Sequence, residues 1–235
     1  MEQEKYRIGK RYLGPRPPMS SKFNVDFLIL GHPRSGTGYI SKLFSGYGIK
    51  IGHECIDEHG ISCWTFVTPN CNHFNGVPKK GQRSIKGITR QDIEYKHLVH
   101  NVRNPFDVIN SIYQTEANTH SQIFRLFHAE PKIDENLDTL SQTILSVTRW
   151  NKMIEQLNPE VVFKVEDCEE CVKDYLVNNL NYKTEGVVFE NKSYNTRKKS
   201  REQKLTKEDY ANVPQYVLDE LNEYCERYNY TNILK

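Results

Sequence analysis

The sequence predicts an α/β protein with a mainly parallel central sheet and helices on both faces. Two observations predict it. Three short runs, Phe27-Leu28-Ile29-Leu30, Leu98-Val99-His100-Asn101-Val102 and Val161-Val162-Phe163-Lys164-Val165, read as strands, the first apolar and branched enough to be covered on both faces. Stretches of helical period separate them, and strands alternating with helices favour parallel pairing through crossovers. With 235 residues the chain is long enough for one sizeable core, so a single domain is expected over 23–235. It follows a polar arm over 1–22, where Pro15, Pro17 and Pro18 oppose regular structure.

The first strand feeds a helix with Ile40, Leu43 and Phe44 on one stripe, ended by Gly46-Tyr47-Gly48. Ile49-Lys50-Ile51 reads as a short strand, and 52–82 shows no period and reads as a long loop of the kind that carries function. Strands follow over Ser84 to Ile88 and Leu98 to Val102. Asn104-Pro105 is a cap followed by proline at the first helical position, continued by Phe106, Ile109, Ile112 and Tyr113. A longer helix spans about Leu137 to Leu157. The strand at Val161 leads into a helix from Asp167 through Leu176. Lys192 to Lys207 is a basic segment without period, and a terminal helix covers Pro214 to Tyr228.

A formal net charge of +2 gives no global field for nucleic acid or membranes, so any anion site must be local. No apolar run reaches the roughly 20 residues of a membrane span, and Met1-Glu2-Gln3-Glu4-Lys5 lacks a signal-peptide core. Six cysteines in a chain this long suit a reducing compartment, so a cytoplasmic location is expected.

Gly31-His32-Pro33-Arg34-Ser35-Gly36-Thr37-Gly38-Tyr39 carries the chemistry. Gly31 and Gly36 have the separation of a phosphate-cradling P-loop, whose backbone N–H groups and helix N-terminus point at one anion. A nucleotide-hydrolase loop continues Gly-Lys-[Ser/Thr]; here Gly36 is followed by Thr37 and Gly38. The lysine and the Mg²⁺-holding hydroxyl are missing from their places, and the cation sits inside the loop at Arg34. The expectation is a phosphate held without a metal. A second constellation places Arg103 at a strand end and Ser111 two turns into the next helix, a pair suited to another phosphate.

Together these motifs resemble the PAPS-dependent sulfotransferases (PAPS is 3′-phosphoadenosine 5′-phosphosulfate). Pro33-Arg34-Ser35-Gly36-Thr37 is similar to their 5′-phosphosulfate loop, and Arg103-Asn104-Pro105 with Ser111 to their 3′-phosphate motif. Phe163-Lys164-Val165-Glu166-Asp167 resembles a strand-end element of that family, and Trp150-Asn151 is also similar. The resemblance covers about 25–170. It implies a P-loop-like three-layer sandwich, PAPS as donor, PAP as product and no metal. It further implies that Arg34 neutralises charge on the sulfonate. The N–H groups of Ser35, Gly36, Thr37 and Gly38, with hydroxyls of Ser35, Thr37 and Tyr39, would hold the 5′-phosphate. Arg103 and Ser111 would hold the 3′-phosphate.

Gly52-His53-Glu54 is placed like the base-bearing segment of tyrosylprotein sulfotransferases, which makes Glu54 the first candidate base and His53 the second. Lys86 is a candidate for stabilising the transferring group. Arg197 and Lys198, in the basic segment, are candidates for reaching the 3′-phosphate. His53, Cys55, His59, Cys63, Cys71 and His73 are dense, but their spacing does not match paired zinc ligands. Cys168 and Cys171 have redox spacing, yet the intervening acids oppose thiolate formation. Trp64 reads as core more readily than as acceptor pocket. The expected activity is transfer of a sulfuryl group to a hydroxyl or amine of a sugar, peptide or small molecule. The alternatives are a P-loop kinase of a small metabolite and a non-catalytic nucleotide binder.

Overall fold

The computed structural model describes residues 22–70, 76–117, 119–183 and 204–234, with the backbone of two short strands near the start, Arg7–Ile8 and Arg11–Tyr12, paired antiparallel. That pairing falls inside the arm for which the sequence predicts no regular structure.

Five strands form the central sheet: β1 (Phe23–Gly31), β2 (Ile51–His53), β3 (Gly60–Cys63), β4 (Ile93–Val102) and β5 (Val161–Lys164). Their order is β2-β3-β1-β4-β5, and every neighbouring pair is parallel. The α/β class and the parallel sheet expected from the alternation are therefore present. Residues Phe27 to Leu30 are fully buried because β1 sits at the centre and both its faces are covered.

The two faces divide by the strand period. Phe27 and Ile29 pack with Ile40, Leu43 and Phe44 of α1 (Thr37–Gly46) and with Cys168 and Val172 of α5 (Cys168–Asp174). Leu28 and Leu30 face Trp150 and Ile154 of α4 (Thr139–Glu155), and Phe124 of α3 (His120–His128). This gives helix, sheet and helix layers. On the outer side of α4, α2 (Pro105–Thr115) and α6 (Gln215–Arg227) close a third apolar cluster around Ile109, Ile144, Val217 and Leu221. Because α4 is covered by the sheet on one side and by these helices on the other, it is buried almost all round. Asp138 caps it, accepting N–H donations from Leu140 (2.9 Å) and Ser141 (3.0 Å).

Several sequence expectations change. The stretch 52–82 contains β3, the strand between β1 and β2, whose Gly-Ile-Ser-Cys sequence offers only two apolar residues. The strand predicted over Ser84 to Ile88 shrinks to Arg83–Ser84, which pairs antiparallel with Cys55–Ile56 outside the central sheet. Lys86 and Gly87 turn the chain there, Gly87 at φ 87°. The second strand begins at Ile51, two residues later than expected, and α3 has no counterpart in the sequence reading.

Topology fixes where a ligand can sit. The chain leaves β1 towards β2 and β3 on one side, and later enters β4 on the other. The sheet thus changes direction between the C-terminal ends of β1 and β4, the crevice in which open α/β sheets bind ligands. Gly31 lies opposite Asn101, and Val102 opposite Lys164, so the segments following β1, β4 and β5 emerge side by side.

Candidate functional site

The loop after β1 is tightly built. Ser35 N–H donates to the His32 carbonyl (3.0 Å), and Asn101 of β4 donates its side-chain amide to the Ser35 carbonyl. Arg34 takes φ 70° and Gly36 φ 83°. Gly36 is required twice over: its backbone is left-handed, and a Cβ there would lie 2.8 Å from Val165 Cγ2. The Gly36 carbonyl accepts from Tyr39 N (2.9 Å) and Ile40 N (3.0 Å), so α1 starts directly beyond it. The first N–H groups of a helix have no intrahelical acceptor, and the helix dipole adds positive potential at the same place. Ser35 Oγ is buried and lacks a hydrogen-bond partner among the described residues. An orphaned donor beside a helix start suits a phosphate.

Beneath the loop His32 is fully buried and neutral. Its Nδ1 donates to the Pro33 carbonyl (2.8 Å), and its Nε2 pairs with Ser146 Oγ (3.1 Å). Burial, then the charge of Arg125, holds its pKa well below the usual histidine value.

Arg103 follows β4 at the neighbouring strand end. Its Nη1 donates to the Arg34 carbonyl (3.2 Å), its Nη2 lies 3.7 Å from Asp107 Oδ2, and its own carbonyl accepts from Tyr224 OH (3.1 Å). The helix behind it is secured at its start. Asn104 Oδ1 accepts from Phe106 N (3.0 Å), and Glu166 Oε1 accepts from Asn104 N (2.8 Å), while Tyr230 OH donates to Glu166 Oε2 (2.9 Å). That gives the Val-Glu-Asp sequence after β5 its work: Val165 packs on Gly36, and Glu166 caps α2. Along α2, Asp107, Ser111 and Thr115 recur every four residues and share one face. Asp107 meets Arg103, and Thr115 Oγ1 meets Arg34 Nη2 (3.2 Å), so Ser111 lies on the stripe between two contacts with the loop and its neighbour. The two sequence-predicted phosphate motifs are adjacent.

The side chain of Arg34 leads to residues that the sequence reading missed. Its Nε lies 3.4 Å from Glu116 Oε1, at the end of α2. The other carboxylate oxygen of Glu116 meets Nη2 of Arg125 (3.3 Å), a fully buried residue of α3. Arg125 also donates from Nε to Ser146 Oγ (2.9 Å) and lies over the Trp64 ring, 5.4 Å from its centroid. Its Nη1 is buried without a hydrogen-bond partner among the described residues. Two guanidinium groups share one carboxylate here. Only proximity in space reveals the cluster, because 34, 116 and 125 belong to three separate segments.

The candidate bases lie on the other side of the loop. His53 Nε2 is 3.2 Å from Thr37 Oγ1, and the ring sits over Gly38. Water lost from the ring there lowers its pKa, against an opposing pull from the Glu54 carboxylate. Glu54 is half-buried, and its Oε1 accepts from Trp64 Nε1 (3.0 Å). Trp64 is core, as expected, and also touches the candidate base. Glu54 has φ 54°. Among the described residues, positive φ outside glycine occurs at Arg34, Glu54 and three asparagines. Asparagine accepts this conformation readily, whereas arginine and glutamate do so at a cost, and such costs collect at functional sites.

Two candidates are displaced. The Tyr39 hydroxyl donates to Glu169 Oε1 of α5 (2.6 Å), so its proton is committed away from the loop. Lys86 is exposed in a turn and does not end a strand of the central sheet. Arg197 and Lys198 lie outside the described residues, as do Cys71 and His73. Leu205 N–H donates to Asn110 Oδ1 (3.1 Å), next to Ser111. Among the described residues no three histidine, cysteine or acidic side chains gather as a metal site, and no helix is long and apolar enough to cross a membrane. Cys168 is buried, which pushes its thiol up to about 12. His100 and Asn151 of the Trp150-Asn151 pair meet in the core at 2.9 Å, while Trp150 Nε1 donates to the Trp64 carbonyl (3.1 Å). Compared with protein-family models, curated proteins and solved structures, the chain matches none.

Proposed function

We propose that this chain is a sulfotransferase that takes a sulfuryl group from PAPS, delivers it to a hydroxyl or amine of an acceptor, and leaves PAP. The observation that carries the reading is the contact from Arg103 Nη1 to the Arg34 carbonyl at the point where the sheet changes direction. It sets the loop's N–H groups and a strand-end guanidinium side by side, as one doubly phosphorylated adenosine requires. The left-handed backbones of Arg34 and Glu54 support it independently.

In this reading the donor supplies the activated sulfuryl group, and the chain supplies placement and charge. The N–H groups from Ser35 to Gly38 with the Ser35 and Thr37 hydroxyls hold the 5′-phosphate. Arg103 and Ser111 hold the 3′-phosphate, helped by Arg197 and Lys198 of the basic segment. Arg34 faces the charge that develops as the group leaves. Glu54 takes the acceptor proton, with His53 as the second candidate, and the Trp64 indole N–H fixes one of its oxygens. Tyr39 and Lys86 have no part.

The test is transfer of label from PAPS to pooled sugars, peptides and small alcohols, with and without a metal chelator, comparing wild type with Glu54→Gln. Labelled product that survives the chelator and falls about 100-fold or more in the variant is expected. A non-catalytic binder would hold PAP and label nothing. A kinase would label acceptors from ATP, only with Mg²⁺.

A further inference from the structure

The cluster formed by Arg34, Glu116 and Arg125 has an unusual charge count. Among the described residues three ionic side chains meet, two positive and one negative. Arg125 is fully buried, Arg34 and Glu116 are partly buried, and neutral His32 adds no charge. A positive excess around a fully buried guanidinium is costly, and an anion reaching the cluster relieves it. The only cation of the three with its backbone in the loop is Arg34. Its hold on Glu116 is the looser kind, Nε at 3.4 Å, with Nη2 on Thr115 Oγ1 at 3.2 Å.

We propose that Glu116 is a positioning residue that keeps the Arg34 guanidinium turned towards the end of α2 until an anionic group enters the loop, then releases it to that group. Arg125 makes the exchange feasible. When Arg34 leaves, Glu116 keeps a guanidinium partner and is not stranded as a partly buried, unpaired carboxylate. The Trp64 ring under Arg125 and Ser146 beside its Nε hold that second partner still. Glu116 and the incoming anion thus compete for one arginine, and Arg125 sets the terms by sharing the carboxylate. The inference rests on the proposal that the loop binds an anion.

The arrangement gives opposite signs for two substitutions that both disturb the same ion pairs. Removing the charge of Glu116 frees Arg34 for the ligand. Removing the charge of Arg125 leaves Glu116 with Arg34 alone and tightens the tether. A cluster acting on the anion through its field alone would give the same two signs, so the Arg34→Gln background and the charge-neutral Thr115→Val decide between them.

The experiment measures inorganic pyrophosphate binding by calorimetry, and by the rise in melting temperature, for wild type, Glu116→Gln and Arg125→Gln. Glu116→Gln is expected to bind pyrophosphate about fivefold more tightly, and Arg125→Gln more weakly by a similar factor. In Arg34→Gln the effect of Glu116→Gln should vanish. If Arg125→Gln does not fold, Thr115→Val replaces it. That substitution removes the second tether without touching a charge, and should tighten binding in the direction of Glu116→Gln by a smaller factor. Equal or weaker pyrophosphate binding by Glu116→Gln overturns the proposal, as does an unchanged gain in the Arg34→Gln background. The donor assignment is read separately: if wild type prefers PAP no more than AMP, the sulfotransferase reading falls while the exchange at Arg34 stands on pyrophosphate alone.

Discussion

Arg103 Nη1 donates to the carbonyl oxygen of Arg34 across 3.2 Å, so the end of β4 is fastened to the loop after β1 by a side chain from one and the backbone of the other. The bond leaves the remaining guanidinium N–H groups and the Arg34 side chain for other partners. It also makes the loop's shape depend on a residue that the proposed function assigns to the ligand. A substitution at Arg103 should therefore disturb both 3′-phosphate recognition and loop order. Thermal melts of the free protein separate the two.

Gly36→Ala should be strongly destabilising. The left-handed backbone costs an alanine about 1–2 kcal/mol, and displacing Val165 adds about 1–3 kcal/mol. Urea denaturation should show the loss, and adding Val165→Ala should return the steric part only. An unfolding midpoint equal to wild type would mean that α1 does not pack on β5 this closely.

Tyr39→Phe separates two roles for one hydroxyl. Loss of its bond to Glu169 should reduce stability by about 1 kcal/mol while PAP affinity stays within about twofold. A tenfold loss of affinity would restore Tyr39 to the ligand set.

Stability should fall in acid through buried histidines. Burial brings the His100 pKa down from 6.5 to about 4, with its bond to Asn151 opposing. The folded state therefore binds fewer protons than the unfolded one in this window. The contribution is complete above about pH 6.5 and is lost as pH falls towards 4, by up to about 3 kcal/mol. His32 acts in the same direction. Unfolding free energies measured from pH 7.5 to 4.5 should decline, and His100→Gln should flatten part of the slope. A variant with the wild-type slope would show that His100 is hydrated when folded.

The residues that fix the fold were readable where local pattern and tertiary context agree. Phe27 to Leu30 is apolar and short because both faces of β1 are covered, and Asn104-Pro105 announces α2 because capping is a local matter. β3 was illegible because Gly60, Ile61, Ser62 and Cys63 form a strand only through pairing with β1 on one side and β2 on the other. The α3 helix hides Arg125 and Gln122 on its buried face, where a hydrophobic period is expected. The site divides in the same way. Arg34, Ser35, Gly36 and Arg103 carry recognisable spacing. Glu116 and Arg125 acquire meaning only through the fold, and the Tyr39 bond to Glu169 and the turn at Lys86 were not legible because side-chain direction is not written in the motif.

The most direct measurement is calorimetric titration of wild type and Arg103→Ala with PAP and with AMP, which differ by the 3′-phosphate. Wild type is expected to prefer PAP, and the substitution to erase most of that preference, about 1.5–3 kcal/mol for a charge-assisted contact. Equal affinity of wild type for the two nucleotides, or a full preference retained by Arg103→Ala, would contradict the assignment of this crevice to a doubly phosphorylated adenosine.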